Sequence, residues 1–231
     1  MTTTTVYPRT HQSLRHPARG ETTLYLVRHG QTDSNVRKLL HGSTDVPLDA
    51  KGIRQAHLVA ERLANEIRAD ALVSSPLDRA LTTARIIGGR IGMEPVVNPG
   101  LSEMDFGALE GVTIESIAED YPEIACRLLD FDDFDLTWPK GESRRQFHTR
   151  VFATFQALLT EYSEHSVVVV AHGGVIGSIL AQVEGVSPNN WLAYQIANCG
   201  LSHLHITAEH TSVHLVSDVV HLELMSVDGE E

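Results

Sequence analysis

The sequence predicts a three-layer α/β/α fold, with a mostly parallel central sheet flanked by helices on both faces. Three observations predict it. Apolar, β-branched runs at residues 22–27, 71–74 and 166–171 end in polar or glycine-containing turns, as strands buried on both faces do. Segments of helical period alternate with them, the pattern of parallel strands joined by crossover helices. A length of 231 residues, 42% hydrophobic and 21% charged, suits one α/β domain with a sizeable core. That domain is taken as residues 21–231. Residues 1–20 hold Arg9, Arg15 and Arg19, many threonines and no acid, and are read as a disordered extension with a faint likeness to a transit peptide.

The elements follow in chain order. Strand 22–27 delivers Arg28 and His29 into Gly30 and a polar loop, Gln31 to Asn35. Pro47-Leu48-Asp49 opens a helix on which Ile53, Ala56, Ala60, Leu63, Ala64 and Ile67 recur on one face. Residues 71–74 make a second strand ending at the serines. Pro76 then opens a helix with Arg79 on its first turn and Gly88, Gly89 and Gly92 weakening its end. Residues 143–164 form a long helix with the stripe Phe147, Val151, Phe155, Leu158 and Leu159. Strand 166–171 is central and delivers His172 into Gly173-Gly174, after which 175–183 resumes as an apolar helix. Residues 201–220 alternate well enough for two strands, closing as a hairpin around residues 208–211.

Composition narrows the partners. A net charge of −12 with no clustered basic face argues against nucleic acid and anionic membrane, so any positive field is local to a pocket. Cys126 and Cys199 are too few for a disulfide framework and lack metal-ligand spacing, which points to buried thiols in a reducing cytoplasm. No apolar stretch reaches the eighteen or so residues of a membrane span, and there is no apolar signal core near the N-terminus. A homodimer is left open.

Two strand–His–Gly turns carry the chemistry. A guanidinium beside an imidazole, Arg28-His29, suits an anion and a nucleophile together, at the strand end where α/β sheets open their ligand crevice. His172-Gly173 at a helix start adds backbone N–H groups and the positive end of a helix dipole, which hold phosphate without a metal. One such histidine is ordinarily structural; two in one domain are a candidate site. His203 and His205 share a strand face but lack a further acid or thiol at ligand spacing, and are read as structural. Asp130 to Asp135 lacks the glycine and terminal glutamate of a calcium loop and is read as solvated.

Further segments fall into a recognisable order: Gly42 to Leu48 with Asp45 and Pro47, Ser75-Pro76-Leu77-Asp78-Arg79-Ala80, Glu103 with Gly107, Glu110 and Gly111, and Gly141-Glu142-Ser143. With the two histidine turns and Asn35, the chain resembles the histidine phosphatase superfamily, in its phosphoglycerate mutase-like branch, from about Thr22 to about Leu204. The resemblance implies a phosphorylated His29, a phosphate pocket of Arg28, Arg79 and His172, Glu103 as acid and base, and Asn35 as a phosphate-side contact. His41, Gly42 and Gly173 complete the binding set, and no metal or cofactor is implied. From the residues alone Glu103 fits either proton donation or an arginine pair.

Departures bear on the substrate. Ser34 stands where relatives often carry an aromatic residue, and His41 where a small or amide residue is frequent. Met104-Asp105-Phe106-Gly107 does not resemble the Arg-His-Tyr-Gly of phosphoglycerate mutases. Residues 121–140 offer only Arg127 and Lys140 to hold a second acid group. A mutase must retain its dephosphorylated intermediate, whereas a phosphatase need only admit water, so the expectation is hydrolysis of a small phosphorylated metabolite. Phosphoglycerate mutase is the alternative, and a catalytically silent phospho-ligand-binding protein a third.

Overall fold

The computed structural model describes residues 20–128 and 130–226. The expectation for residues 1–19 lies outside them. Six strands form one sheet in the order β3-β2-β4-β1-β5-β6: β1 (Thr22–Arg28), β2 (Ala71–Ser74), β3 (Val96–Val97), β4 (Ser166–Ala171), β5 (Leu201–Ile206) and β6 (Thr211–Asp218). The first four are mutually parallel, and β5 and β6 add an antiparallel edge.

Alternation along the central strands divides the core in two. Leu24 and Leu26 of β1 and Val167 and Val169 of β4 face one side, where α6 (Arg144–Glu161) and α7 (Gly173–Val183) supply Phe147, Val151, Ile176 and Leu180. Tyr25, Val27, Val168 and Val170 face the other, against α2 (Ala50–Glu66) and α3 (Asp78–Ile91). Successive side chains of a strand point to opposite faces, so a run of four valines in β4 is apolar because both faces are covered. The three layers expected from sequence are thereby present.

The chain order explains where a ligand crevice opens. From β1 the chain crosses α2 to β2, on the far side of β4; from β4 it crosses α7 to β5, on the far side of β1. Neighbouring strands β1 and β4 thus send their connections in opposite directions, the switch point at which open α/β sheets bind ligands. Arg28 lies beside Ala171 in register, so His29 and His172 leave the sheet side by side.

Local chemistry sets the helix starts. Asp49 caps α2 through Gly52 N–H at 2.7 Å, and Ser143 caps α6 in a reciprocal box with Gln146. The long helix therefore begins one residue later than 143 and ends at Glu161. Gly92, with φ at 76°, closes α3 in the left-handed region glycine favours. The polar loop expected after His29 instead contains a four-residue helix, α1 (Asp33–Val36), because Thr32 and Asn35 form a capping box too short to leave a hydrophobic period. Edge strand β3 and helices α4 (Ile114–Asp120) and α5 (Pro122–Leu128) likewise have no counterpart in the sequence reading.

The tail forms the expected hairpin. His203 is buried and stacks on Tyr25 at 4.9 Å between ring centroids, while His205 pairs with Glu21 at 2.9 Å. No group suited to a metal occurs among the described residues. The aspartate run is largely exposed, but it is pinned: Arg127 binds Asp133, Arg145 binds Asp135, and the buried Arg144 donates to the carbonyls of Leu128 and Asp130. No helix among the described residues is long and apolar enough to cross a membrane. Cys199 is buried and Cys126 exposed, so the expected burial holds for one thiol only.

Candidate active site

His29 sits immediately beyond β1, fixed from both sides. Its backbone N–H donates to Ala171 O at 3.0 Å, and its Nδ1 lies 2.7 Å from Gly30 O. A carbonyl only accepts, so Nδ1 carries the proton and Nε2 is left with its lone pair. The ring is buried, and its pKa falls well below the usual value, first through lost hydration and then through Arg28 and Arg79. A neutral imidazole with a bare Nε2 is a nucleophile in waiting.

His172 lies beneath it, fully buried, with ring centroids 5.2 Å apart. Its Nε2 is 2.7 Å from Ser75 Oγ, and that oxygen also receives Leu77 N–H at 3.3 Å. Nδ1 has no partner among the described residues. If the Ser75 hydroxyl donates to Nε2, the proton sits on Nδ1, which is the tautomer able to donate to an anion. Burial, then Arg79, holds this imidazole well below its ordinary pKa too.

Two guanidiniums complete the positive wall. Arg79, 1% exposed, donates to Thr44 O at 3.1 Å and Gly42 O at 2.7 Å. Arg28 donates to Ile196 O, and its Nε is buried without a partner. Neither forms an ion pair with a carboxylate among the described residues. Cations in this position without a counter-ion are costly and call for an anion. Thr44 is itself held by Glu110, which accepts N–H bonds from Ser43 and Thr44, both at 2.7 Å. Burial raises the Glu110 pKa, but those bonds outweigh it and keep the group below its ordinary value.

Glu103 faces these cations from a separate loop. Its Oε2 accepts Gly174 N–H at 2.9 Å and its Oε1 accepts Met104 N–H at 3.0 Å. Burial still wins: lost hydration raises the pKa against those hydrogen bonds and the nearby arginines. Gly174 is required here, since a Cβ would stand 2.5 Å from Glu103 Oε1. The loop is anchored by Arg150 of α6, which donates to Gly100 O at 3.0 Å, Ser102 O at 2.8 Å and Glu142 Oε1 at 2.7 Å. Glu142 in turn accepts Asp105 N–H at 3.0 Å, which gives the Gly141-Glu142-Ser143 segment its part in the site.

The remaining expected residues divide. Asn35 lines the cavity; its Oδ1 is occupied by Thr32 and Asn198, leaving Nδ2 as a free donor. Gly173 lines it beside Arg28, and its N–H has no acceptor among the described residues. His41 also lines it, with its pKa lowered by burial and by Arg79. Two residues expected to bind substrate are not among those lining the cavity: His172, fully buried with its ring against that of His29, and Gly42, whose carbonyl holds Arg79 and where a Cβ would collide with Met104 O. Sequence reasoning assigned no role to Ser75, Asn198 or Arg150. The Ser-Pro-Leu segment was the available signal for Ser75; the other two act through contacts far apart in the chain.

The comparisons agree with this geometry. The model of the histidine phosphatase superfamily (branch 1) matches residues 24–219. The chain belongs to the histidine phosphatase superfamily. Among sequence relatives it is 30% identical over 210 residues to a "probable phosphoglycerate mutase" of Yersinia pestis, covering 89% of this chain and 97% of that one. Among solved superfamily folds, phosphoserine phosphatase of Entamoeba histolytica, in complex with 3-phosphoglyceric acid, superposes with a TM-score of 0.76 at 28% identity, covering 87% and 99% of the two chains. The α-ribazole phosphatase of Shigella flexneri gives 0.74 at 27% identity, covering 84% and 96%. Phosphatases and mutases of the superfamily are thus the chain's kin.

Proposed function

We propose that this histidine phosphatase superfamily member is a metal-independent phosphatase that hydrolyses a small phosphomonoester through a phosphohistidine on His29. One observation carries the reading: Arg79 and Arg28, without carboxylate partners, flank an imidazole whose Nε2 is bare, with Arg28 Nε and His172 Nδ1 unsatisfied beside it. Phosphoryl transfer is mainly a matter of positioning and charge stabilisation, and these groups supply both.

In the first step His29 Nε2 attacks phosphorus, the P–O ester bond breaks, and its electron pair leaves on the alkoxide oxygen. Glu103, held neutral by burial, gives that oxygen its proton. Arg28, Arg79, His172 Nδ1–H and Gly173 N–H take the three phosphoryl oxygens. In the second step water attacks phosphorus, its proton passes to the Glu103 carboxylate, and the N–P electron pair returns to His29. Phosphate and alcohol are released, and no step calls on a metal.

Hydrolysis is favoured over mutase action because three of the four cations of residues 121–145 are engaged elsewhere: Arg127, Arg144 and Arg145 hold the aspartate run, which leaves Lys140 alone to meet a second acid group. Rapid quenching with a ³²P-labelled ester is expected to leave acid-labile label on His29. Label on another side chain, or none, refutes the covalent route. With 3-phosphoglycerate and bisphosphoglycerate, free phosphate supports hydrolysis and the isomer supports the mutase.

A further inference from the structure

Beyond the phosphoryl end the cavity continues to a total of about 440 Å³. That lies within the range of pockets holding whole organic molecules, and a phosphoryl group fills a small part of it. Its apolar lining is Leu39, Leu40, Phe106, Ile196 and Trp191, and Lys38 and Gln195 line it as well.

Trp191 is placed for contact rather than for the core. It rides on a 3₁₀ segment, Pro188–Tyr194, pressed against α7 so closely that a Cβ on Gly177 would stand 2.6 Å from Trp191 O and 3.0 Å from its Cβ. The stem is thus fixed, and Trp191 lines the cavity. The second tryptophan gives the contrast: Trp138 is buried, with Nε1 bonded to Met104 Sδ at 2.9 Å, whereas the Trp191 N–H has no partner among the described residues. Lys38 follows α1 with φ at 54°, a position where glycine is the usual choice, and Gln195 has φ at 44°. Arg37, its neighbour, is paired with Asp33, but Lys38 forms no ion pair among the described residues. Glu103 is the single carboxylate among the residues lining the cavity.

We infer that the alcohol part of the substrate is a planar ring bearing an acid group, the ring lying on Trp191 among Leu39, Leu40 and Ile196 and the acid meeting Lys38. The inference rests on the phosphatase reading and adds to it the class of leaving group. Aromatic stacking supplies ring selectivity at modest cost, and an exposed lysine adds a smaller, salt-sensitive increment.

The test uses four esters of primary alcohols: glycerol 1-phosphate, 3-phosphoglycerate, benzyl phosphate and 4-carboxybenzyl phosphate. The expected kcat/KM is highest for 4-carboxybenzyl phosphate, with ring over non-ring esters favoured about tenfold or more. Trp191→Ala is expected to cut that ratio about tenfold, and Trp191→Leu, which keeps apolar bulk against α7, to cut it nearly as far. Lys38→Ala is expected to lower the ratio of acid-bearing to acid-free esters about threefold, an effect that fades with salt. A wild-type ratio near one, a preference for 3-phosphoglycerate over both ring esters, or a ratio unmoved in the tryptophan variants overturns the inference. Should none of the four turn over and no label reach His29, the phosphatase reading fails separately. Calorimetry then decides the ligand class: tighter binding of 4-carboxybenzyl phosphate by wild type than by Trp191→Leu supports it, and equal binding overturns it.

Discussion

Two pairs of histidine rings lie almost equally close in this molecule. His29 and His172 have centroids 5.2 Å apart at the ends of β1 and β4; His203 and His214 have centroids 5.3 Å apart on β5 and β6. Both pairs include a buried ring held neutral, and each includes a ring nitrogen without a hydrogen bond, His172 Nδ1 in one and His203 Nε2 in the other. Proximity, burial and an unsatisfied nitrogen therefore do not separate a site from a scaffold. What separates them is the surrounding charge. Arg28, Arg79 and Glu103 share a cavity with His29, against which the His172 ring packs, whereas His203 is stacked on Tyr25 and is lowered to about 4 by burial, with His214 and His205 adding to the shift. A reactive imidazole needs a place for an anion as well as a shifted pKa.

The largest expected effect tests that contrast directly. His29→Ala is expected to lose about a thousandfold or more in turnover while keeping its fold, whereas His203→Phe keeps activity within about threefold and loses thermal stability. Turnover of the alanine variant above about one-hundredth of wild type, or a His203 variant as inactive as it, would erase the distinction. Next comes the proposed proton donor. Glu103→Gln is expected to cost about a hundredfold with alkyl esters and much less with p-nitrophenyl phosphate, whose leaving group needs no proton. Because the native carboxyl is raised and the proposed first step needs it protonated, turnover of alkyl esters is expected to fall as pH rises through that elevated pKa. The glutamine variant should lack this falling limb; its persistence would assign the limb to another group.

Ser75→Ala is a subtler probe. It is expected to reduce kcat about tenfold, with Ser75→Thr restoring most of it, and to change the ¹⁵N shifts of His172 that report which nitrogen is protonated. An unchanged His172 spectrum would leave Ser75 a packing residue only. Smallest is the effect of acid on stability. His148, His203 and His221 have native pKa values near 4, and His29 and His172 are also depressed, so below about pH 6.5 the unfolded chain binds more protons than the native one. Their contribution is complete above about pH 6.5 and is lost as pH falls toward and through 4, with Glu103 opposing in the sense of its raised pKa. The urea midpoint should fall between pH 7 and pH 4.5, less steeply in His203→Phe. Equal midpoints would mean that these rings are not neutral in the native state.

The sequence carried the strand and helix periods because burial on both faces writes itself into consecutive residues. Val167 to Val170 and the α6 stripe are legible for that reason, and so are Arg28, His29 and His172, which follow directly from strand ends. Helix α1 was not legible, since its stability rests on one Thr32–Asn35 capping box instead of a period. Gly42 was read as a ligand contact because it opens the Gly42 to Leu48 segment that carries the family resemblance, yet its carbonyl serves Arg79 from 37 residues away.

By itself the chain determined the layered sheet, the pairing of a cationic residue with a histidine at one strand end, and the glycine turn at another, all consequences of local pattern and backbone geometry. Only the tertiary structure decided which side chains share the cavity. Asn198 reaches His29 O across 169 residues, Ser75 reaches His172 across 97, and Arg150 reaches the Glu103 loop across about 50. Those contacts arise from strand order and helix packing, in which residues remote in sequence become neighbours, and no local period encodes them.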